Sequence, residues 1–203
     1  MVEELRAIVG PYERILYQGK PNRKCYIFES IFNPLLFIAV IWAIIDFGLI
    51  GGVFFQMDSG MPFIVLPFML LHLMPVWIYL GGILFMARKY RNTAYIVTDR
   101  AIYVSGGIFT RNINAKPFAE LSHINLHRGF FDQIFHVGDI IATTNQFKQN
   151  GKAAVISIAS ISDYIEVYNL VKKLQTDIYS DVMYPNAKRP AENPGYHTKY
   201  RGL

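Results

Sequence analysis

Between residues 25 and 87 the sequence contains no lysine and no arginine. Soluble helices usually carry charged residues on one face, so this absence argues against a buried helical hairpin in a soluble protein. The same region contains two apolar runs, residues 31–55 and 61–87, joined by a short polar connection. About 20 apolar residues in a helix cross the hydrocarbon core of a bilayer. We therefore predict a transmembrane helical hairpin with one span in each run.

The sequence has one cysteine, Cys25, so no disulfide can form within the chain. This usage is typical of proteins whose bulk stays in the reducing cytosol. A charged stretch of about thirty residues precedes the first apolar run, and no small-residue cleavage pattern follows it, unlike in a secretory signal peptide. We expect the first span to remain in the protein.

Charge around the two runs predicts their orientation. The flanking basic residues are Arg14, Lys20, Arg23, Lys24, Arg88, Lys89 and Arg91. The connection, residues 56–60, contains only Asp58 as a charged residue. Because positive flanks stay in the cytoplasm, we expect a multi-pass protein of the inner, cytoplasmic cell membrane with both termini cytoplasmic. Such a short connection argues against a receptor for external ligands.

The chain is basic overall, with a net charge of +5 and a pI of about 9.2. From Arg88 onward it has 15 basic and 9 acidic residues. A basic domain beside an anionic leaflet is attracted to it, so membrane lipids are expected partners, and Arg88, Lys89 and Arg91 are expected to contact headgroups. We expect no nucleic-acid partner, because the sequence has no zinc-finger spacing, RNA-binding aromatic signature or dense arginine cluster.

After the second run, β-branched and aromatic segments indicate strands. The expected strands are residues 93–98, 101–105, 111–115, 117–126, 139–145 and 153–158, with a helical turn at 130–135 and a polar turn at 148–152. Ser160 and Asp163 then form a capping pattern before a helical stripe at Ile161, Ile165, Tyr168, Val171, Leu174 and Ile178. The expected organisation is an N-terminal segment (1–30), the hairpin (31–87), an α+β domain (88–180) and a flexible basic tail (181–203).

Three stretches of this domain resemble a known family. They are residues 95–106 (YIVTDRAIYVSG), 120–128 (ELSHINLHR) and 130–140 (FFDQIFHVGDI). Their order and their residues resemble those of the membrane-anchored bacterial pleckstrin-homology-like (PH-like) domain family, second type. The two predicted spans that precede them also resemble that family. The resemblance implies an antiparallel, partly open β-barrel or sheet capped by a C-terminal helix. It implies no general catalytic residues.

No catalytic motif is present: the sequence lacks G-x-S-x-G, H-E-x-x-H, a phosphate-binding glycine loop and paired carboxylates in a polar setting. We expect no enzymatic activity and no cofactor. His123, His127 and His136 are close in sequence, and we interpret them as partly exposed loop and edge residues. The alternative is a metal pair of His123 and His127, with Asp132 and Asp139 nearby, or a pH sensor. The prediction is that no metal site is present.

Asp46 and His72 are ionisable residues inside the predicted spans, where such groups are costly and often functional. Each lies about 20 Å from the connection at about 1.5 Å per residue. The hypothesis is a hydrogen-bonded pair that locks the two helices together. The alternatives are that each residue faces a neighbouring protein, or that a tilted helix brings Asp46 toward the outer interface.

Small residues and prolines also mark the spans. Gly48, Gly52, Gly81 and Gly82 are candidates for close helix packing, within the hairpin or between subunits. Pro62, Pro67 and Pro75 are expected to kink or start the second span. In the tail, Tyr196 and Tyr200 are candidate anchors for docking on a partner.

These features predict a non-enzymatic, membrane-anchored interaction or scaffold protein that presents a PH-like domain to the cytoplasm. It is expected to self-assemble or to act as an accessory subunit of a membrane complex. Two alternatives stay open: an anionic-lipid-binding module, suggested by the basic domain, and a transporter or channel component, suggested by Asp46, His72 and the prolines.

Overall fold

A computed structural model describes residues 2–56, 65–147 and 153–183. Contacts divide the chain into two compact units. The first, here called the β-rich unit, comprises Met1–Cys25 and Lys89–Leu203, and the second, here called the helical unit, comprises Tyr26–Arg88. The helical unit is therefore inserted into the sequence of the β-rich unit.

The β-rich unit begins with a four-stranded antiparallel sheet in the order β1-β2-β3-β4. The strands are Ile15–Gly19 (β1), Ala94–Thr98 (β2), Ala101–Gly106 (β3) and Asn112–Pro117 (β4). The expected tight turn at Asp99 and Arg100 joins β2 to β3. Thr98 Oγ1 accepts the backbone N–H of Ala101 at 2.9 Å, which closes this turn.

A second antiparallel sheet has the order β5-β6-β7. Its strands are Leu121–His127 (β5), Gly138–Phe147 (β6) and Ala153–Ile161 (β7). The expected helical turn between β5 and β6 is a short helix, α6 (Phe130–Ile134); five earlier helices are described below. The described strands form two sheets and not one closed barrel. The polar turn predicted at 148–152 lies outside the described residues.

One predicted strand is shorter than expected. Residues 117–126 were predicted as continuous, but a 3₁₀ turn (Phe118–Glu120) separates β4 from β5. The Phe118 side chain is buried in the core at this point. The turn lets the chain pass from the first sheet to the second while it keeps this large ring away from water.

The C-terminal helix, α7 (Tyr164–Met183), packs against a core that both sheets supply. Val167, Val171 and Leu174 are buried on its inner face. Two predictions were wrong here. Ile165 is exposed, and Ser160 is a residue of β7 and does not cap the helix, which begins after it at Tyr164.

The N-terminal residues are part of the β-rich unit. A first helix, α1 (Val2–Ile8), places Leu5 in a small core with residues of β2 and β3. The following strand, β1, pairs with β2, with Gln18 opposite Ile96. The sequence indicated a separate segment over residues 1–30, whereas in the structure its residues 15–19 form a strand that completes a sheet.

The helical unit contains α2 (Arg23–Ile31), α3 (Pro34–Gln56), α4 (Val65–His72) and α5 (Met74–Asn92), of which α2 and α5 run into the β-rich unit. Taken as one helical stretch, Arg23–Leu49, which covers α2 and the first part of α3, is long and apolar enough to cross a membrane; it is the one such stretch within the described residues. Only 11% of its most apolar stretch is buried within the protein. The second apolar run is helical in two parts, broken just before Met74 and Pro75. Pro62 and the connection lie outside the described residues.

Candidate functional site

The two ionisable residues of the helical unit lie next to each other. Asp46 belongs to α3 and His72 is the last residue of α4. His72 Nδ1 lies 2.6 Å from Asp46 Oδ1, within hydrogen-bond distance. The Asp46 side chain is buried, at 1% exposed, whereas His72 is partly accessible. A close bond between a carboxylate and an imidazole is among the stronger hydrogen bonds in proteins, so the pair can hold α3 and α4 together.

Aromatic side chains complete this site. Trp42 lies one helical turn before Asp46, and its Nε1 donates to the His72 carbonyl oxygen at 2.7 Å. The Trp42 and Phe68 rings lie 5.2 and 5.6 Å from the His72 ring, measured between centroids. Sequence reasoning missed both residues. The i, i+4 spacing of Trp42 with Asp46, and of Phe68 with His72, is the signal that could have found them.

One oxygen of the pair has no hydrogen-bond partner among the residues that the structure describes. Asp46 Oδ2 is buried and makes no hydrogen bond within the described residues. A buried polar atom without a partner costs about 1–3 kcal/mol, more if the group is charged. Proteins retain such a costly buried group where it has a function, for example binding a proton or a cation.

The four glycines of the spans do not show close packing within the described chain. A Cβ atom built on Gly48, Gly52, Gly81 or Gly82 would meet no described atom within 4 Å. Their small size is therefore not needed for contact between the described helices. Packing against a second copy stays a prediction.

The predicted headgroup-contacting residues are at the end of α5. Arg88, Lys89 and Arg91 are exposed there. Cations in the last turn also interact favourably with the negative end of the helix dipole. Tyr196 and Tyr200 lie outside the described residues, so their role in docking stays a prediction.

The histidines of the β-rich unit are not arranged as the alternative metal pair of His123 and His127. His123 and His127 are exposed residues of β5, and His136, also exposed, has a positive φ of 54°. His127 lies beside two carboxylates, Asp132 and Asp139. The neighbouring carboxylates, and not a second histidine, form a cluster with His127.

Comparison with family models identifies the architecture. The model of the bacterial PH domain matches residues 34–175, which include most of the helical unit and the strands from β2 to β7. Neither a search of curated proteins nor a search of solved structures found a match to this chain.

Proposed function

We propose, from the premise that the chain belongs to the bacterial PH domain family, that it is a membrane-anchored interaction protein with its PH-like domain at the cytoplasmic face. PH-like domains are in general non-catalytic interaction modules. In this proposal the helical unit crosses the bilayer twice. The β-rich unit then engages a second copy of the chain or another membrane protein.

The surface of the helical unit supports the anchor. Large apolar side chains are exposed along its helices, among them Phe37 and Phe47 at 69% each, with Ile44 and Leu84 similarly open. Soluble monomers rarely expose contiguous apolar patches of more than a few hundred Å². Lipid chains would cover these side chains in a bilayer, so the exposure fits a membrane-embedded unit.

The pairing of β1 with β2 is the observation that carries the proposal. β1 precedes the helical unit in the chain and β2 follows it, yet Ile15 to Gly19 is hydrogen-bonded to β2 in one sheet. Both ends of the helical unit are therefore tied to the same body. If the helices enter a bilayer, the chain must return to the side that it left, which requires an even number of crossings.

The positions of the basic residues support a cytoplasmic location for the β-rich unit. The basic residues Arg23 and Lys24 begin the helix that enters the helical unit, and Arg88 and Lys89 lie near the end of the helix that leaves it. Positive residues at the membrane ends stay in the cytoplasm. The β-rich unit is then cytoplasmic, as expected for a chain with a single cysteine.

The edge of the first sheet is the surface that we propose for the partner. β4 is the last strand of that sheet, and most of its side chains are exposed. Edge strands offer backbone hydrogen-bonding groups to which another strand can add. Ile113 provides an exposed apolar side chain in this strand.

Native mass determination of the full chain in mild detergent tests the interaction role. We expect a defined oligomer, or a specific membrane protein that copurifies with it. Ile113→Asp should weaken that assembly at least tenfold, whereas Ile165→Asp, at an exposed apolar position of α7, should leave it unchanged. A strict monomer that captures no membrane protein would rule out the proposal.

A second candidate function has one observation in its favour. The buried Asp46 Oδ2 without a partner fits a subunit of a proton- or cation-conducting complex. Flux through proteoliposomes that is lost in Asp46→Asn would support this function. Equal flux in the variant and the unsubstituted protein would dispose of it.

A further inference from the structure

Three potential metal ligands meet in the β-rich unit, whereas the Asp46–His72 pair belongs to the helical unit. They are His127 at the end of β5, Asp132 in α6 and Asp139 in β6. One ligand atom from each lies within 4.8 Å of those from the other two. Three consecutive elements of the chain therefore bring imidazole and carboxylate ligands to one point.

Asp132 is held rigidly inside the protein. Its side chain is 1% exposed. Oδ2 accepts the backbone N–H of Gly129 at 2.8 Å, and Oδ1 lies 3.4 Å from Cys25 Sγ, which donates to it. Each oxygen keeps a further lone pair after these bonds, so the carboxylate can still bind a cation.

Asp139 approaches from an irregular part of β6. The pairing with β7 shifts between Gly138 and Ile140, and Asp139 Oδ1 accepts the backbone N–H of Ser160 at 2.7 Å. Its other oxygen, Oδ2, lies 4.0 Å from His127 Nδ1. A bulge of this kind re-aims a side chain, here toward the histidine.

The cluster has excess negative charge. Within the described residues, neither carboxylate forms an ion pair with a lysine or an arginine. The nearby Arg128 donates to the backbone carbonyls of Val137 and Asp132, and its guanidinium lies 4.8 Å from the Tyr164 ring centre. Burial, and to a lesser extent the charge of Asp132, raises the pKa of Asp139. A bound cation would offset both effects.

We infer that His127, Asp132 and Asp139 form a binding site for a divalent transition metal ion of the Zn²⁺ type. An imidazole nitrogen with two carboxylates suits Zn²⁺ better than Mg²⁺ or Ca²⁺, which prefer oxygen ligands alone. Zn²⁺ binds such ligands at about 2.0–2.2 Å, so the side chains must close slightly around the ion. His127 is 61% exposed and has room to make that movement.

Metal binding at this site is a property separate from the proposed interaction role. Its expected effect is to stabilise the β-rich unit. A metal ion here would tie the end of β5 to α6 and the start of β6. Three protein ligands leave a fourth position for water or for a side chain of a partner. Metal binding to the folded state alone would raise the thermal stability of the protein.

Zinc titration of the full-length protein in detergent, prepared without a histidine tag, tests the inference. We expect saturable binding of one ion per chain in isothermal titration calorimetry and a rise in Tm on zinc addition. His127→Gln and Asp139→Asn should weaken binding by at least about 10-fold, because loss of even a residue that only orients a ligand typically costs about 10-fold to 100-fold. His123→Gln, on the same strand and also exposed to solvent, is the matched control and should bind as the unsubstituted protein does.

Different results of the titration would overturn the site or the choice of metal. Absence of zinc binding to the unsubstituted protein overturns the site, and so does equal binding by His127→Gln and His123→Gln. A response to Mg²⁺ as strong as that to Zn²⁺ overturns the choice of metal. If Asp139→Asn fails to fold, as judged by circular dichroism, the exposed His127→Gln variant still decides the question.

Discussion

Asp46 is a carboxylate in the middle of an apolar helix, and its surroundings explain how it is accommodated. His72 supplies a hydrogen bond at 2.6 Å to one oxygen. The hypothesis that these two residues pair came from their similar separations from Asp58 along the sequence, 12 and 14 positions. Trp42 and Phe68 were not predicted, because ring stacking depends on side-chain rotamers that spacing alone does not specify.

Asp46→Asn tests the strength of the pair. Asparagine keeps the shape but removes the charge, so the bond to His72 loses its charge-assisted part. We expect the free energy of unfolding in detergent to fall by about 1–3 kcal/mol. Phe47→Leu, at the exposed neighbouring position, is the control and should change stability little. Equal stability of the two variants in thermal unfolding would count against the lock.

Tyr103 predicts an alkaline limit to stability. Burial, with a hydrogen bond from its hydroxyl to Glu13, raises the pKa of Tyr103 to about 12 from a usual value of 10.0. The folded state therefore keeps the proton longer than the unfolded chain does. The stabilisation is complete below pH 10.0 and is lost as the pH rises toward 12.

Tyr103→Phe removes this linkage, so stability should fall less steeply above pH 10.0. Some slope should remain, because burial also raises the pKa of Tyr17 to about 12. Urea unfolding at a series of pH values from 8 to about 11 provides the measurement. Identical slopes in the two proteins would show that Tyr103 does not titrate differently on folding.

At the scale of elements, local patterns predicted the six strands that follow residue 88 but not β1. β2 and β3 are adjacent, and β-branched residues around the turn at Asp99 identify their hairpin. β1 pairs with β2 although the whole helical unit separates them in sequence. No local pattern can indicate such a pairing, because it depends on where the helical unit returns the chain.

The error in α7 has a related cause. Ile165 and Val167 both fit a helical period with the buried residues Val171 and Leu174, so periodicity alone left two phases open. The structure buries Val167 and exposes Ile165. The choice depends on how α7 packs against the core that both sheets supply, which the local period does not specify.

Leu5→Ala tests whether α1 and β1 belong to the folded domain. Leu5 is fully buried against Ala94 and Ile96 of β2. Removal of a buried leucine side chain typically costs about 2–5 kcal/mol, so we expect a clear loss of stability in chemical unfolding. Ile8→Ala, at an exposed position of the same helix, should cost far less. Similar losses would mean that α1 is not docked in solution.

In the whole molecule, the helical unit is inserted into the sequence of the β-rich unit. The helical unit leaves the β-rich unit after Cys25 and returns to it at Lys89. The two apolar runs could be identified from composition alone, because the absence of lysine and arginine is visible in the sequence. Only the β1–β2 pairing reveals that the segments on both sides of the helical unit join one sheet. This pairing connects the fold to the proposed membrane topology.

Labelling of introduced cysteines with a membrane-impermeant maleimide tests the topology most directly. Tyr12→Cys lies at an exposed position of the β-rich unit, and Ser59→Cys lies in the connection between the apolar runs. The native Cys25 is buried, so the unsubstituted protein measures the background. We expect labelling of Ser59→Cys in intact cells and labelling of Tyr12→Cys only in inverted vesicles. Labelling of Tyr12→Cys in intact cells, or recovery of the protein in the soluble fraction without detergent, would contradict the proposed topology.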